Sequence, residues 1–126
     1  MNSPLPHRAL KIAFVVDDLD KYLERFAKLF GLETPGSIIT GPQEETQIEY
    51  RGAATDGRAR LGYIPLDNVT LELIEPIDGP SIWQACLDRK GSGLHHIAFI
   101  VDELQAVVAD LDQLGLPLAQ TGVFPA

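Results

Sequence analysis

The chain has 126 residues, enough for one domain with a substantial core but too few for two independent domains. Eighteen acidic against ten basic residues give a net charge of -8, which disfavours nucleic acid and anionic membrane surfaces as partners. No apolar run approaches the ~20 residues of a membrane span, and the single cysteine, Cys86, excludes an internal disulfide and is typical of a cytoplasmic protein.

Residues 10–17 form a short apolar run rich in Val, Ile and Phe, which predicts a buried strand. Apolar residues then recur at helical spacing up to Gly31, so we expect a helix over residues 19–30. A loop rich in Pro and Gly follows over residues 33–45. Three alternating stretches after it predict a meander of strands at residues 47–51, 58–66 and 69–75.

Ser81 predicts the N-cap of a linker helix over residues 81–90. Beyond it we expect a strand over residues 95–102, a helix over residues 103–114 and the start of another strand near Pro117.

The second strand-plus-helix pattern repeats the first. Residues 11–19 return as residues 96–104 with six of nine positions identical, and only Lys11 against His96 changes chemical type. A repeat of this kind indicates one structural unit used twice, so we expect a site between the two copies.

The two copies differ in length. We interpret residues 1–126 as a single domain in which module one, about residues 9–76, holds a strand, a helix and three strands. Module two, residues 94–126, has room only for a strand, a helix and the start of a further strand. We expect either a shortened chain, which we favour, or a partner chain that supplies the missing edge.

Alternation along the strands predicts which side chains share a face. The bulky sets should pack beneath the helix of each module; they are Ile12, Phe14 and Val16 in the first copy and Ile97, Phe99 and Val101 in the second. The opposite faces would bring Lys11, Glu72 and His96 toward one concave surface if the sheet curls.

Two further stretches, residues 71–76 (LELIEP) and residues 93–99 (GLHHIAF), complete a recognisable pattern. Together with the repeat strands and the Trp83 helix, they resemble the vicinal oxygen chelate superfamily, which includes glyoxalase I, methylmalonyl-CoA epimerase, extradiol dioxygenases and bleomycin-resistance proteins. The order of these stretches is most similar to the epimerase branch. The resemblance implies an α+β fold in which paired βαβββ modules form a curled mixed-sheet cup, with the second module incomplete here.

The resemblance also implies a ligand set for a divalent metal. In that family each module supplies a His at the start of its first strand and a Glu or Gln on its last strand. Glu72 and His96 match two of these four positions and are the metal candidates, for zinc, nickel, cobalt or manganese. Lys11 stands where the first His is expected, and the last Glu would lie beyond Ala126.

Lys11 has two functional interpretations. Beside a metal it would contact substrate; without one, its ammonium would replace the metal charge by pairing with Glu72 or by holding a carboxylate or enolate oxygen. The plain alternative is a solvated lysine at a strand end. Arg60 is a second candidate for substrate binding, with a solvated strand face as its alternative, and His95 is expected on the face opposite to His96.

The leading functional hypothesis is a metal-assisted epimerase, isomerase or glyoxalase-type lyase. It would abstract a proton next to the carbonyl of a small acyl-thioester or 2-oxo compound. The main alternative is a non-catalytic, drug-sequestering binding protein of the bleomycin-resistance type. A third possibility, an extradiol dioxygenase, would need two histidines and a carboxylate on iron. Lys11 in place of the first His disfavours it. Exposed sheet edges predict a homodimer.

Overall fold

The structure, a computed structural model, describes residues 3–124 and has a mixed α+β fold, as predicted. No helix in this described part of the chain is long and apolar enough to cross a membrane. In chain order the elements are β1 (Lys11–Val15), α1 (Leu19–Phe30), β2 (Ile38–Ile39), α2 (Gln43–Thr46), β3 (Glu49–Tyr50), β4 (Ala53–Ala54), β5 (Arg58–Pro65), β6 (Thr70–Asp78), α3 (Ile82–Lys90), β7 (Gly93–Ala98), α4 (Leu104–Gln113) and β8 (Gln120–Thr121).

The main sheet has five strands in the order β2-β5-β6-β1-β7. Strand β1 runs parallel to β6 and antiparallel to β7, so the first strand of module two lies directly beside that of module one. The sheet is curled and does not close. We call its concave face, on the side away from α1, the cup.

The predicted three-stranded meander is wrong in one member. Strands β5 and β6 pair as expected, but β3 belongs to a separate three-stranded sheet with β4 and β8. Gln47 and Arg51 both adopt positive φ angles, of 51° and 53°, and turn the chain away at either end of β3. The alternating pattern of residues 47–51 carries no sign of these turns.

Helix α1 packs on the convex face of the sheet, as the parity of β1 predicts. Asp18 caps its start by accepting a hydrogen bond from the Lys21 amide, and Gly31 ends it in the left-handed conformation at φ 67°. The cluster between helix and sheet joins Leu19 and Leu23 of α1 to the buried residues Val16, Ile64, Leu71 and Leu73, with Ile12 and Phe14 packed against them.

A second cluster lies on the cup side of the same sheet. Its buried members are Ala13, Val15, Ile48, Ala59, Ile74 and Trp83. Trp83 comes from α3, which begins at Ser81, whose hydroxyl accepts a hydrogen bond from the Gln84 amide. The predicted linker helix is therefore present and anchors one wall of the cup.

The second copy of the repeat does not reproduce the packing of the first. Helix α4 buries none of its residues, and Ile97, expected beneath it, is 54% exposed. Val108 and Leu111 of α4 instead line the cup. The expectation of an equivalent strand-helix layer is wrong for Ile97, because α4 is placed toward the concave side of the sheet.

Candidate functional site

The floor of the cup is a row of residues that pair across four neighbouring strands. Tyr63 of β5 pairs with Glu72 of β6, Glu72 with Ala13 of β1, and Ala13 with His96 of β7. Residues that pair directly project to the same face of a sheet. Ala13, between Glu72 and His96 in this row, is fully buried, whereas Tyr63, Glu72 and His96 line the pocket.

Lys11 lies at the start of β1, two residues before Ala13, and projects from the same face of the sheet. Its Nζ lies 3.8 Å from Oε2 of Glu72 and 5.1 Å from the centroid of the Tyr63 ring. The carboxylate and the ring face both attract the ammonium. The structure therefore brings together three of the four predicted site residues, Lys11, Glu72 and His96.

These side chains line a pocket of about 590 Å³. Its walls are mainly apolar and aromatic, with Leu61 and Ile74 from the sheet, Trp83 from α3, and Val108 and Leu111 from α4. A small number of polar groups at the base of an apolar cavity is the arrangement typical of small-molecule sites.

His95 also lines this pocket, although the sequence predicts it on the other face. The register of β1 with β7 shifts here: Ala13 pairs with His96, but Phe14 pairs with Leu94. His95 is thus the extra residue of a β-bulge, which breaks the alternation of side chains. No residue pattern marks the bulge, so the expectation from strict alternation was wrong.

The two imidazoles are in direct contact. Nδ1 of His95 lies 2.7 Å from Nδ1 of His96, and the ring planes meet at 80°. Burial is the main cause that lowers the pKa of each imidazole below the usual 6.5. For His96 the charge of Glu72 opposes this shift and that of Lys11 adds to it. Both rings are therefore neutral at neutral pH.

Tyr63 completes the polar part of the floor. Burial, followed by the negative charge of Glu72, raises the pKa of its phenol to about 12. Tyr63 therefore keeps its proton at neutral pH and stands beside the carboxylate as a potential donor. The sequence offered no sign of this role, since an alternating strand tyrosine usually packs.

Arg60 is separated from the other predicted site residues. Its guanidinium contacts Oε1 of Glu75 at 3.0 Å and Oδ1 of Asp20 at 2.9 Å, at the start of α1. Arg60, Gly62 and Ile64 alternate along β5 and therefore project from the same face of the sheet, the convex face that carries α1. The ion pairs tie β5 and β6 to α1, and the guanidinium does not line the pocket.

The donor set of residues 3–124 does not fit a divalent metal. No group of three or more His, Cys, Asp or Glu side chains in this part of the chain is placed to hold an ion. Glu72 and His96 offer two ligands, and the Lys11 ammonium beside them repels a cation.

Comparison with known proteins identifies the family. The model of the Glyoxalase/Bleomycin resistance protein/Dioxygenase superfamily matches residues 10–126. The chain belongs to this superfamily, which confirms the resemblance found in the sequence. An uncharacterized protein of Bacillus subtilis (strain 168), YqjC, is 39% identical over 54 residues, a match that spans 40% of this chain and 39% of that protein.

Solved structures show the same fold. A variant of the methylmalonyl-CoA epimerase of Streptomyces coelicolor, in complex with 2-nitronate-propionyl-CoA, is 25% identical with a TM-score of 0.57, over 86% of this chain and 69% of that chain. The methylmalonyl-CoA epimerase of Mycobacterium tuberculosis is 23% identical with a TM-score of 0.56, over 91% and 69%.

The lowered pKa values of His95 and His96 predict how stability changes with pH. The unfolded chain binds protons on these rings near pH 6.5, whereas the folded chain binds them only at lower pH. The free energy of unfolding should hold its full value above about pH 6.5 and fall as the pH drops below it. Urea unfolding between about pH 7 and pH 5 measures this loss.

The variant His96→Gln should lose less stability over that range than the unsubstituted chain. His7→Gln is the matched control, since His7 is exposed and should leave the pH dependence unchanged. Equal pH dependence in the two variants would contradict the assignment.

Proposed function

We propose that this member of the superfamily binds a small acyl-thioester or 2-oxo compound in the cup and moves a proton next to its carbonyl, as an epimerase or isomerase does. The observation that carries the proposal is the meeting of an ammonium, a carboxylate and a neutral imidazole at the base of one apolar pocket. Proton abstraction beside a carbonyl needs a group that takes the proton and a positive group that holds the enolate oxygen.

Lys11 is the proposed electrophile. As the C–H bond breaks, its electron pair moves into the enolate, and negative charge collects on the former carbonyl oxygen. An ammonium directed at that oxygen supplies the charge that a divalent metal supplies elsewhere. The pair of Lys11 with Glu72 fixes the ammonium at the pocket floor; unit charges about 4 Å apart attract by roughly 4 kcal/mol at an effective dielectric of ~20, before desolvation.

His96 is the proposed proton acceptor. Its ring is neutral at neutral pH and therefore has one nitrogen that carries a lone pair instead of a hydrogen. Glu72 is the weaker candidate, because its carboxylate already faces the Lys11 ammonium and the Tyr63 phenol. The proton taken by His96 returns to the same carbon of the enolate, so that no other reactant is consumed. Epimerisation by this single base requires that the planar enolate turn over before the proton returns.

The likeness to an epimerase in complex with 2-nitronate-propionyl-CoA supports an acyl-thioester as the substrate class. A second candidate function is non-catalytic binding of an organic ligand, the drug-sequestering type. It is favoured by the mainly apolar walls of the pocket and by the internal neutralisation of Lys11 by Glu72.

Exchange of substrate hydrogen with solvent deuterium separates these functions. With acyl-CoA thioesters and 2-oxo acids in D₂O, mass spectrometry should show deuterium next to the carbonyl of at least one compound. His96→Gln and Lys11→Met should each slow this exchange by roughly 100-fold or more. Arg60→Lys, on the opposite face of the sheet, should exchange at the original rate.

Binding of these compounds, measured by calorimetry on the same samples, distinguishes the outcomes. A compound that binds without any exchange above background would favour the binding protein and overturn the epimerase proposal.

We also propose that two copies associate, as the exposed sheet edges predict. Strand β7 forms one edge of the main sheet, and its Leu94 and Ile97 are 62% and 54% exposed. Such edges are usually covered in proteins. Light scattering should give twice the mass of one chain, and Ile97→Lys should reduce it. A monomer at every concentration tested would contradict this proposal.

The cytoplasmic location that the sequence suggests stays a prediction.

A further inference from the structure

The pocket contains few charged groups. Among residues 3–124, Lys11 is the one Lys or Arg side chain that lines it, and Glu72 is the one Asp or Glu. These two side chains form an ion pair, and the Glu72 side chain is only 11% exposed. Burial lowers the pKa of His95 and of His96, so the imidazoles add no charge at neutral pH. The formal charges of the pocket therefore cancel, and its cation already has a carboxylate partner.

The neighbouring arginines and lysines are held elsewhere. Arg60 takes part in ion pairs on the convex face of the sheet, and Arg58 donates through Nε to the backbone carbonyl of Thr40. Arg89 and Lys90 are exposed at the end of α3 and do not line the pocket. Within the described part of the chain, an anionic group of a ligand in the pocket would meet only the cation that is already paired.

A carboxylate on the acyl group would therefore be costly to bind. It would lose its hydration against walls that include Leu61, Ile74 and Trp83, and the charge of Glu72 would repel it. Glu72 projects from β6, a central strand, and is 8% exposed, so solvent does little to screen its charge.

An apolar substituent meets the opposite conditions, because the same walls would remove it from water. The pocket volume of about 590 Å³ lies within the range of sites for drug-sized ligands, which leaves room for an acyl group of more than a few carbons. Each methylene group that is buried strengthens binding by about fourfold.

We propose that the cup selects acyl thioesters whose acyl group is apolar and uncharged, and that Glu72 is the specificity-determining residue that rejects a second carboxylate. This selectivity rests on the proposed function, in which Lys11 holds the thioester oxygen. With Lys11 shared between that oxygen and Glu72, no cation that lines the pocket is left for an anionic substituent on the carbon that loses the proton.

Three thioesters of N-acetylcysteamine, which lack the phosphates of CoA, test the preference by direct binding to the full chain. The isobutyryl thioester is the reference. The methylmalonyl thioester has a carboxylate in place of one methyl group, and the 2-methylpentanoyl thioester has two more methylene groups. Trp83 is the only tryptophan of the chain and lines the pocket, so its fluorescence reports binding.

Relative to the isobutyryl thioester, the dissociation constant should be roughly tenfold higher or more for the methylmalonyl thioester. For the 2-methylpentanoyl thioester it should be about tenfold lower. Equal or tighter binding of the methylmalonyl thioester, or no binding of any of the three, would overturn the proposal.

Glu72→Gln shows whether Glu72 is the cause. The amide keeps the size of the side chain and removes its charge, so the ratio of the methylmalonyl to the isobutyryl dissociation constant should fall by about tenfold or more. Glu75→Gln is the matched control, since Glu75 lies on the same strand, pairs with Arg60 on the opposite face and should leave the ratio unchanged. An unchanged ratio in Glu72→Gln would contradict the role of Glu72. If that variant does not fold, Glu72→Met removes the same charge and carries the same expectation.

Deuterium exchange separates a failure of this proposal from a failure of the proposed function. Exchange of the methylmalonyl thioester with a KM equal to or below that of the isobutyryl thioester would overturn the selectivity while supporting proton transfer. Selective binding of the uncharged thioesters without any exchange would refute proton transfer and leave the preference of the pocket intact.

Discussion

Strand β1 is the element on which the rest of the site depends. It is paired on both edges, parallel to β6 and antiparallel to β7. Its two faces lie in different environments. On the convex face, Ile12 and Phe14 pack beneath α1. On the concave face, the fully buried Ala13 separates Glu72 from His96 by the width of one strand. A larger residue at position 13 would not fit without displacing its buried neighbours.

The repeat explains both the symmetry of the site and its departure from symmetry. Two copies of one strand pattern, running antiparallel side by side, place Lys11 and His96 on neighbouring strands, where Lys11 pairs with Ala98, two residues beyond His96. At this position alone the copies differ in chemical type. In the proposed function, one copy provides the Lys11 ammonium, paired with Glu72, and the other provides the neutral imidazole of His96 as the base. We regard this division of charge and base between the modules as the chemical basis of the proposed function.

Much of this arrangement was accessible from the sequence. The period of two along β1 and β6, with the repeat, predicted that Lys11, Glu72 and His96 share one face, and the structure places them around one pocket. Arg60 was misplaced because a lone charged residue does not reveal which face of β5 it takes. Its partners, Asp20 and Glu75, come from other elements and could not be paired before the fold was known. His95 was missed because a bulge is a property of the pairing of two strands rather than of one segment.

The packing of α4 could not be predicted from the repeat for a similar reason. Identical strand residues predict identical local structure, but the environment of a helix depends on which sheet face lies opposite it. Leu111 therefore lines the cup, although the corresponding helix of module one lies on the convex face. The family resemblance was enough to predict the architecture. The polar contacts at the pocket floor could be identified only from the side-chain positions in the structure.

The proposed function requires that the Lys11 ammonium, and not a metal ion, provide the positive charge in the cup. Calorimetric titration with zinc tests this requirement most directly, in a His7→Gln background that removes the exposed imidazole. We expect no stoichiometric zinc binding by the chain with Lys11, and stoichiometric binding by Lys11→His, which adds a third ligand beside Glu72 and His96. Stoichiometric binding of zinc by the chain that retains Lys11 would contradict it.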